Sequence, residues 1–212
     1  MATFGEIQTN VSKRLLDASN TSVSSSDVAA SINNSIRYWK YRNFWFNQIS
    51  DTVTLTATDG TIPLTGSYLM PLHDDGGFVI EYSNMRYPLT KISDQQYNSI
   101  FLDNGYGLPS VYARIGQSYE VYPLPDLAYT CRREYLKEYT ALVNSSDTND
   151  FTNYADRLIM LWSCADLVFE IRRDSDAETY FRSAAKDEYN LLQLMTEKSN
   201  STGEIQISSF LM

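Results

Sequence analysis

The segment Leu72-His73-Asp74-Asp75-Gly76-Gly77 gathers an imidazole, two carboxylates and two glycines, the ingredients of a general acid/base or metal-binding loop. His73 is the single histidine of the chain, so any serine or cysteine triad, and nearly every kind of zinc enzyme, would have to be built on it. Adjacent residues rarely converge on one atom, because along a strand they point to opposite faces. Asp-Asp-Gly-Gly between strands is also ordinary turn composition. A solvated hairpin is therefore the better reading. The two cysteines, Cys131 and Cys164, are too few for a disulfide framework or a four-thiolate zinc site, and read as buried apolar thiols. The chain has no Gly-x-x-x-x-Gly-Lys phosphate loop, no Gly-x-Gly-x-x-Gly, no Gly-x-Ser-x-Gly elbow and no His-Glu-x-x-His. Paired carboxylates of the kind glycoside hydrolysis uses are available among 26 acids, but Glu134, Glu138, Asp147, Asp150 and Asp156 are spread as solubilising charges are. The expectation is a protein that is not an enzyme, with no catalytic, metal or cofactor-binding residues and no cofactor.

What remains is recognition. Sixteen tyrosines and three tryptophans could stack on sugars, anchor protein interfaces or fill a core. The densest basic and aromatic cluster is Arg37, Trp39, Lys40, Tyr41, Arg42, Phe44 and Trp45. A solvated helix face accounts for it; a subunit interface built on Arg37, Trp39, Tyr41, Arg42, Phe44 and Trp45, or a local phosphate contact, is the functional alternative. With 17 bases against 26 acids the net charge is -9, so the protein should not grip DNA. Its 212 residues, 43% hydrophobic and 20% charged, suffice for one or two small globular domains. No apolar run approaches the roughly 20 residues of a membrane span. Residues 1–10 lack a basic start followed by an apolar stretch, so a soluble protein without an export signal or membrane contact is expected.

Stepwise changes in hydrophobic period divide the chain into three blocks. Phe4, Ile7, Val11 and Leu15 share one helical face, and the Ser/Thr/Asn-rich stretch 19–26 ends that helix and caps the next. Val28, Ile32, Ile36 and Trp39 carry the second helix, which the pattern extends to Phe46. From Asp51 the period becomes two, with Val53, Leu55 and Ala57 inward before an Asp59-Gly60 turn. Strands are predicted at 78–82, 86–89, 111–115, 119–122 and 129–139, joined by tight turns as an antiparallel sheet, with a short helix at 93–102 opened by a Ser93/Gln96 capping box. Tyr154, Leu158, Leu161, Ala165 and Val168 return to helical spacing up to Arg172 and Arg173. A fourth helix runs from Asp176 with the stripe Phe181, Ala185, Glu188 or Tyr189, Leu192 and Met195, ending at Lys198-Ser-Asn-Ser-Thr-Gly203. Glu204 to Met212 then alternates at Ile205 and Ile207 and finishes Phe210, Leu211, Met212. Such a tail needs a cover: another chain, its own sheet edge, or nothing if it frays.

The order of these elements, with several local phrases, resembles the head-to-tail adaptor (connector) proteins of tailed bacteriophages, of the short-tailed kind with a sheet insertion. The phrases are Thr3-Phe-Gly-Glu-Ile-Gln-Thr-Asn-Val, Ile36-Arg-Tyr-Trp-Lys-Tyr-Arg-Asn-Phe-Trp-Phe, Tyr87-Pro-Leu-Thr, Leu108-Pro-Ser-Val-Tyr-Ala and Tyr119-Glu-Val-Tyr-Pro-Leu-Pro-Asp-Leu-Ala-Tyr-Thr. None is catalytic, and their shared order over residues 3–195 carries the likeness. The resemblance implies an α+β fold: an antiparallel four-helix bundle from both chain ends (1–50 and 145–199), an inserted antiparallel β-rich domain (51–142) and an extended C-terminal arm (200–212). It further implies a structural virion protein at the portal-tail junction, made in the host cytoplasm. Its partners would be the portal protein, tail or nozzle proteins, and neighbouring copies in a ring of about a dozen, a dodecamer, through which double-stranded DNA passes at ejection. The portal-docking arm would be Glu204, Ile205, Ile207, Phe210, Leu211 and Met212. The alternative is a carbohydrate-binding module, or another tail structural protein that does not dock on a portal.

Overall fold

The computed structural model describes residues 1–15, 23–64, 66–72, 77–100 and 105–200. The fold is mixed α+β, with six α-helices and largely antiparallel sheets among the described residues. The chain divides into two compact units, Met1–Asn47 with Tyr139–Met212, and Gln48–Glu138.

In the first unit α1 (Phe4–Arg14) opens with a capping box: Glu6 N–H donates to Thr3 Oγ1 (3.3 Å) and Thr3 N–H to Glu6 Oε2 (2.8 Å). Its Phe4, Ile7 and Val11 are buried. Ser24 and Asp27 make the same box for α2 (Ser25–Trp39), which buries Val28, Ile32, Ile36 and Trp39. The aromatic pattern predicts helix to Phe46, but α2 stops at Trp39. The buried Asn47 side chain accepts from Phe44 N–H (2.9 Å) and donates to the Arg42 carbonyl (2.8 Å), closing the chain into a loop. The predicted third helix is likewise interrupted. Ala155, at φ -134°, separates α4 (Asp150–Tyr154) from α5 (Asp156–Leu167), and a π-helical turn (Val168–Arg172) ends at Arg173 in the left-handed region, φ 54°. Last comes α6 (Ser175–Asn200).

Helix α5 is the axis of this unit, with Leu158, Ile159, Met160, Leu161, Cys164 and Leu167 all buried. Small polar residues let α2 approach it closely. Ser35 Oγ lies 2.9 Å from Ser163 Oγ, and Ser163 Oγ donates to the Ile159 carbonyl at 2.8 Å, so the buried hydroxyls are satisfied.

The second unit holds two sheets. The first has the order β1 (Gln48–Leu55), β9 (Tyr129–Lys137), β4 (Phe78–Tyr82), β5 (Met85–Pro88), with β3 (Tyr68–Pro71) pairing β9 beside β4. Its β4–β5 hairpin turns through Ser83 and Asn84, both at positive φ. The second has the order β2 (Thr61–Ile62), β8 (Ser118–Tyr122), β7 (Val111–Ile115), β6 (Thr90–Lys91). All pairs are antiparallel except β6 with β7, which is parallel and departs from the expected antiparallel sheet. Helix α3 (Asp94–Ile100) lies in the crossover that a parallel pair requires. Leu55, Phe78, Ile80 and Cys131 of the first sheet share one core with Ile62, Tyr112, Tyr119 and Val121 of the second. Strands β2, β3 and β6, each of two to four residues, are not foreseen by the alternation pattern.

Candidate functional site

The Arg37-to-Trp45 cluster falls at the end of α2 and in the loop after it, and the structure sorts it into two sets. Trp39 and Phe44 are 5% and 0% exposed, packed in the core of their own unit. They correct the expectation that these rings meet a neighbour: α2 turns Trp39 onto Trp162 and Tyr189 (centroids 4.9 and 5.0 Å), and the Asn47 clamp folds Phe44 inward. Trp45 is half-buried, its N–H donating to Thr196 Oγ1 (3.3 Å) and its ring against Phe46. Arg37, Tyr41 and Arg42 remain exposed, with Lys40 Nζ 5.1 Å from the Tyr41 ring.

Tyr38 joins that surface, although residue order alone gives no sign of it. Half exposed, it stacks on Trp162 (4.7 Å, 20° between planes). The Arg182 guanidinium lies 4.0 Å from the same indole and donates to Asp166 Oδ1 at 2.6 Å. Burial raises the Asp166 carboxyl above the usual carboxylate range, and the Arg182 charge opposes that rise. The result is an exposed face in which α2 and its loop present two arginines and two tyrosines, one ring already held by stacking.

His73, Asp74, Asp75 and Gly76 lie outside the described residues, as does the arm Glu204, Ile205, Ile207, Phe210, Leu211 and Met212. Cys131 and Cys164 are buried, and desolvation pushes both thiols up to about 12, which leaves no thiolate at neutral pH. Among the described residues no group of three His, Cys, Asp or Glu gathers as a metal site, and no helix is long and apolar enough to cross a membrane. An open groove of about 720 Å³ runs along α1, lined by Thr3, Glu6, Thr9, Lys13 and Ser145.

The most unusual polar group is structural. Arg133, 1% exposed, donates from Nε to Asp51 Oδ1 (2.8 Å), from Nη2 to Asp51 Oδ2 (2.5 Å) and from Nη1 to the Pro63 carbonyl. Tyr135 Oη also donates to Asp51 Oδ2 (3.1 Å). The signal for it is present in the sequence: in β9, Tyr129, Cys131 and Tyr135 face inward, and Arg133 occupies the same phase.

No curated protein matches the chain. The profile of one family does, the SU10 adaptor protein, over residues 2–206.

Proposed function

The chain belongs to the SU10 adaptor protein family, the adaptor protein of a phage, and from that premise we propose that it is the head-to-tail adaptor that joins the capsid vertex to the tail. The match over nearly the whole chain carries this reading. Copies form a ring, a dodecamer, under the portal, with tail or nozzle proteins on the far side and DNA passing through at ejection. In this reading α1, α2, α5 and α6 are the antiparallel bundle from both chain ends, the strands of residues 51–142 are the inserted domain, and the arm, expected from residue 200, begins after α6. In that arm Glu204, Ile205, Ile207, Phe210, Leu211 and Met212 dock on the portal by strand addition or apolar contact. The net charge of -9 favours passage over grip, since a lumen with little Lys and Arg neutralises few phosphates and releases few counterions.

A one-protein ring needs heterologous contacts, each copy offering one surface to its left neighbour and another to its right. The exposed Arg37, Tyr41 and Arg42 supply one of these surfaces. The test is a chain ending at Asn200. It should keep the wild-type circular dichroism and melting curve yet fail to co-elute with the portal ring; normal binding by the truncated chain would sink the docking role of the arm.

A further inference from the structure

Helix α6 has two apolar faces, and among the described residues only one of them is buried. Ala185, Leu192 and Thr196 are buried. Tyr180, Leu191, Leu194 and Met195 are 66, 46, 63 and 46% exposed, although single exposed apolar residues would need no explanation. At about 100° per residue these four share one arc of the helix, Leu191, Leu194 and Met195 clustered toward its C-terminal end and Tyr180 about three turns before them, with exposed Asp187 in the same arc.

The position of that arc relative to the basic face follows from the contacts of α6. Taking Leu192 as pointing into the core, Tyr189, Gln193 and Thr196 turn to one flank. There Tyr189 stacks on Trp39 (5.0 Å), Gln193 Nε2 donates to the Asn43 carbonyl (3.0 Å) and Thr196 Oγ1 accepts from Trp45 N–H (3.3 Å). That flank is occupied by the end of α2 and its loop, the elements that carry Arg37, Tyr38, Tyr41 and Arg42. Leu191, Met195 and Tyr180 turn to the opposite flank. The basic, aromatic face and the apolar stripe therefore look away from each other across the same unit.

The charges are complementary. No acidic residue occurs between Val28 and Ser50, the stretch that carries Arg37, Lys40 and Arg42 in a chain of net charge -9. Arg37 and Arg42 make no ion pair among the described residues. Along the stripe stand Asp176 and Asp187, both exposed, with Lys198 at its far end. Tyr38, fixed against Trp162, is an anchor that loses little freedom on docking.

We propose that the α6 stripe of one copy receives the Arg37, Tyr38, Tyr41 and Arg42 face of the next, the two unlike surfaces of a head-to-tail ring contact. Leu191, Leu194 and Met195 cover the tyrosine rings, and Asp187 faces the arginines. This pairing rests on the ring reading above and names the residues that carry it. Other occupants of the stripe, a portal or tail protein, are outcomes that the test separates.

Two native cysteines, both buried, leave the surface free for placed thiols. A full-length chain carrying Arg42→Cys and Leu191→Cys is assembled with its portal ring, treated with a short bismaleimide and run under denaturing conditions. The pairing predicts a ladder of covalent adaptor oligomers, while either single-cysteine chain gives no ladder. A ring that forms, by mass, but yields no ladder from the double variant overturns the pairing and assigns the stripe to a portal or tail protein. Absence of any assembly from the wild-type chain overturns the ring reading itself. A second pair of variants serves as a check. Arg37→Glu with Arg42→Glu, and Leu191→Glu with Leu194→Glu, should each melt as wild type and fail to close a ring; closure by either one contradicts the pairing.

Discussion

The helical unit buries serines where the sheet unit buries an arginine. Between α2 and α5, Ser31, Ser35 and Ser163 satisfy one another and nearby carbonyls, and the other buried polar residues of that unit, Asn47, Thr152 and Thr196, are likewise uncharged. Between β1 and β9, Asp51 and Arg133 are direct cross-strand partners, and the guanidinium is held on three of its sides. A buried pair of this kind adds little net stability over apolar packing, because desolvation offsets the Coulomb gain. It does fix register, since a slip of one residue would carry Arg133 to the other face of the sheet and strand Asp51. Helices whose register is set by shape need no such pin. The unit with the plainer core is also the one that presents the exposed apolar stripe and the basic face.

The largest expected effect tests that contrast. Asp51→Ala leaves Arg133 buried without its carboxylate and should cost about 3 kcal/mol, toward the lower end for a broken buried pair because Asp51 itself is a third exposed. Denaturant melts give the magnitude, and amide exchange gives the place. Protection should fall within 48–138 while α5 amides keep theirs; equal loss in α5 would mean the two units unfold as one. Next is Ser35→Leu, which forces a larger side chain between α2 and α5 at a site with 0% exposure and should cost about 1–3 kcal/mol, now with the exchange pattern reversed. Asn47→Ala removes the clamp on the loop after α2 and should cost about 1–2 kcal/mol. Its sharper readout is a change in tryptophan fluorescence from Trp39 and Trp45 beside that loop. Unchanged emission would show that the loop is set by aromatic packing alone.

The smallest effect is one of pH. Asp147 accepts hydrogen bonds from Val143 and Asn144 N–H (2.8 and 2.7 Å), which hold its carboxyl below the usual carboxylate range. A lowered folded pKa gives stability present above the unfolded value and lost as pH falls through the folded one. Asp166 has the opposite sign: raised by burial, its contribution is full below the unfolded value and is lost as pH rises through the folded one. Asp147→Asn should therefore flatten the acid limb of the helical unit's stability curve, and Asp166→Asn the limb above it. Unaltered limbs in melts across the acid range would contradict these assignments.

The sequence made the long elements legible because burial imposes a period on them: Phe4, Ile7 and Val11 on α1, or Val53 and Leu55 on β1. Strands of two to four residues such as Thr61–Ile62 and Thr90–Lys91 are too short to show a period and exist only by pairing with β8 and β7. The end of α2 misleads for a physical reason. Tyr41, Phe44 and Trp45 continue a helical spacing, but a single Asn47 side chain rewires the backbone bonds, so the rings are sorted by the loop and not by the helix. Of the site, Arg37, Tyr41 and Arg42 could be read in advance because charged and amphipathic side chains seek the surface. The role of Tyr38 could not, since its support, Trp162, lies on another helix.

The most direct test of the account is to mix the full-length protein with its own phage's portal ring and weigh the product by light scattering after gel filtration. The adaptor reading predicts one stable species whose mass corresponds to one adaptor chain per portal subunit. Separate elution of portal and unbound chain would contradict it.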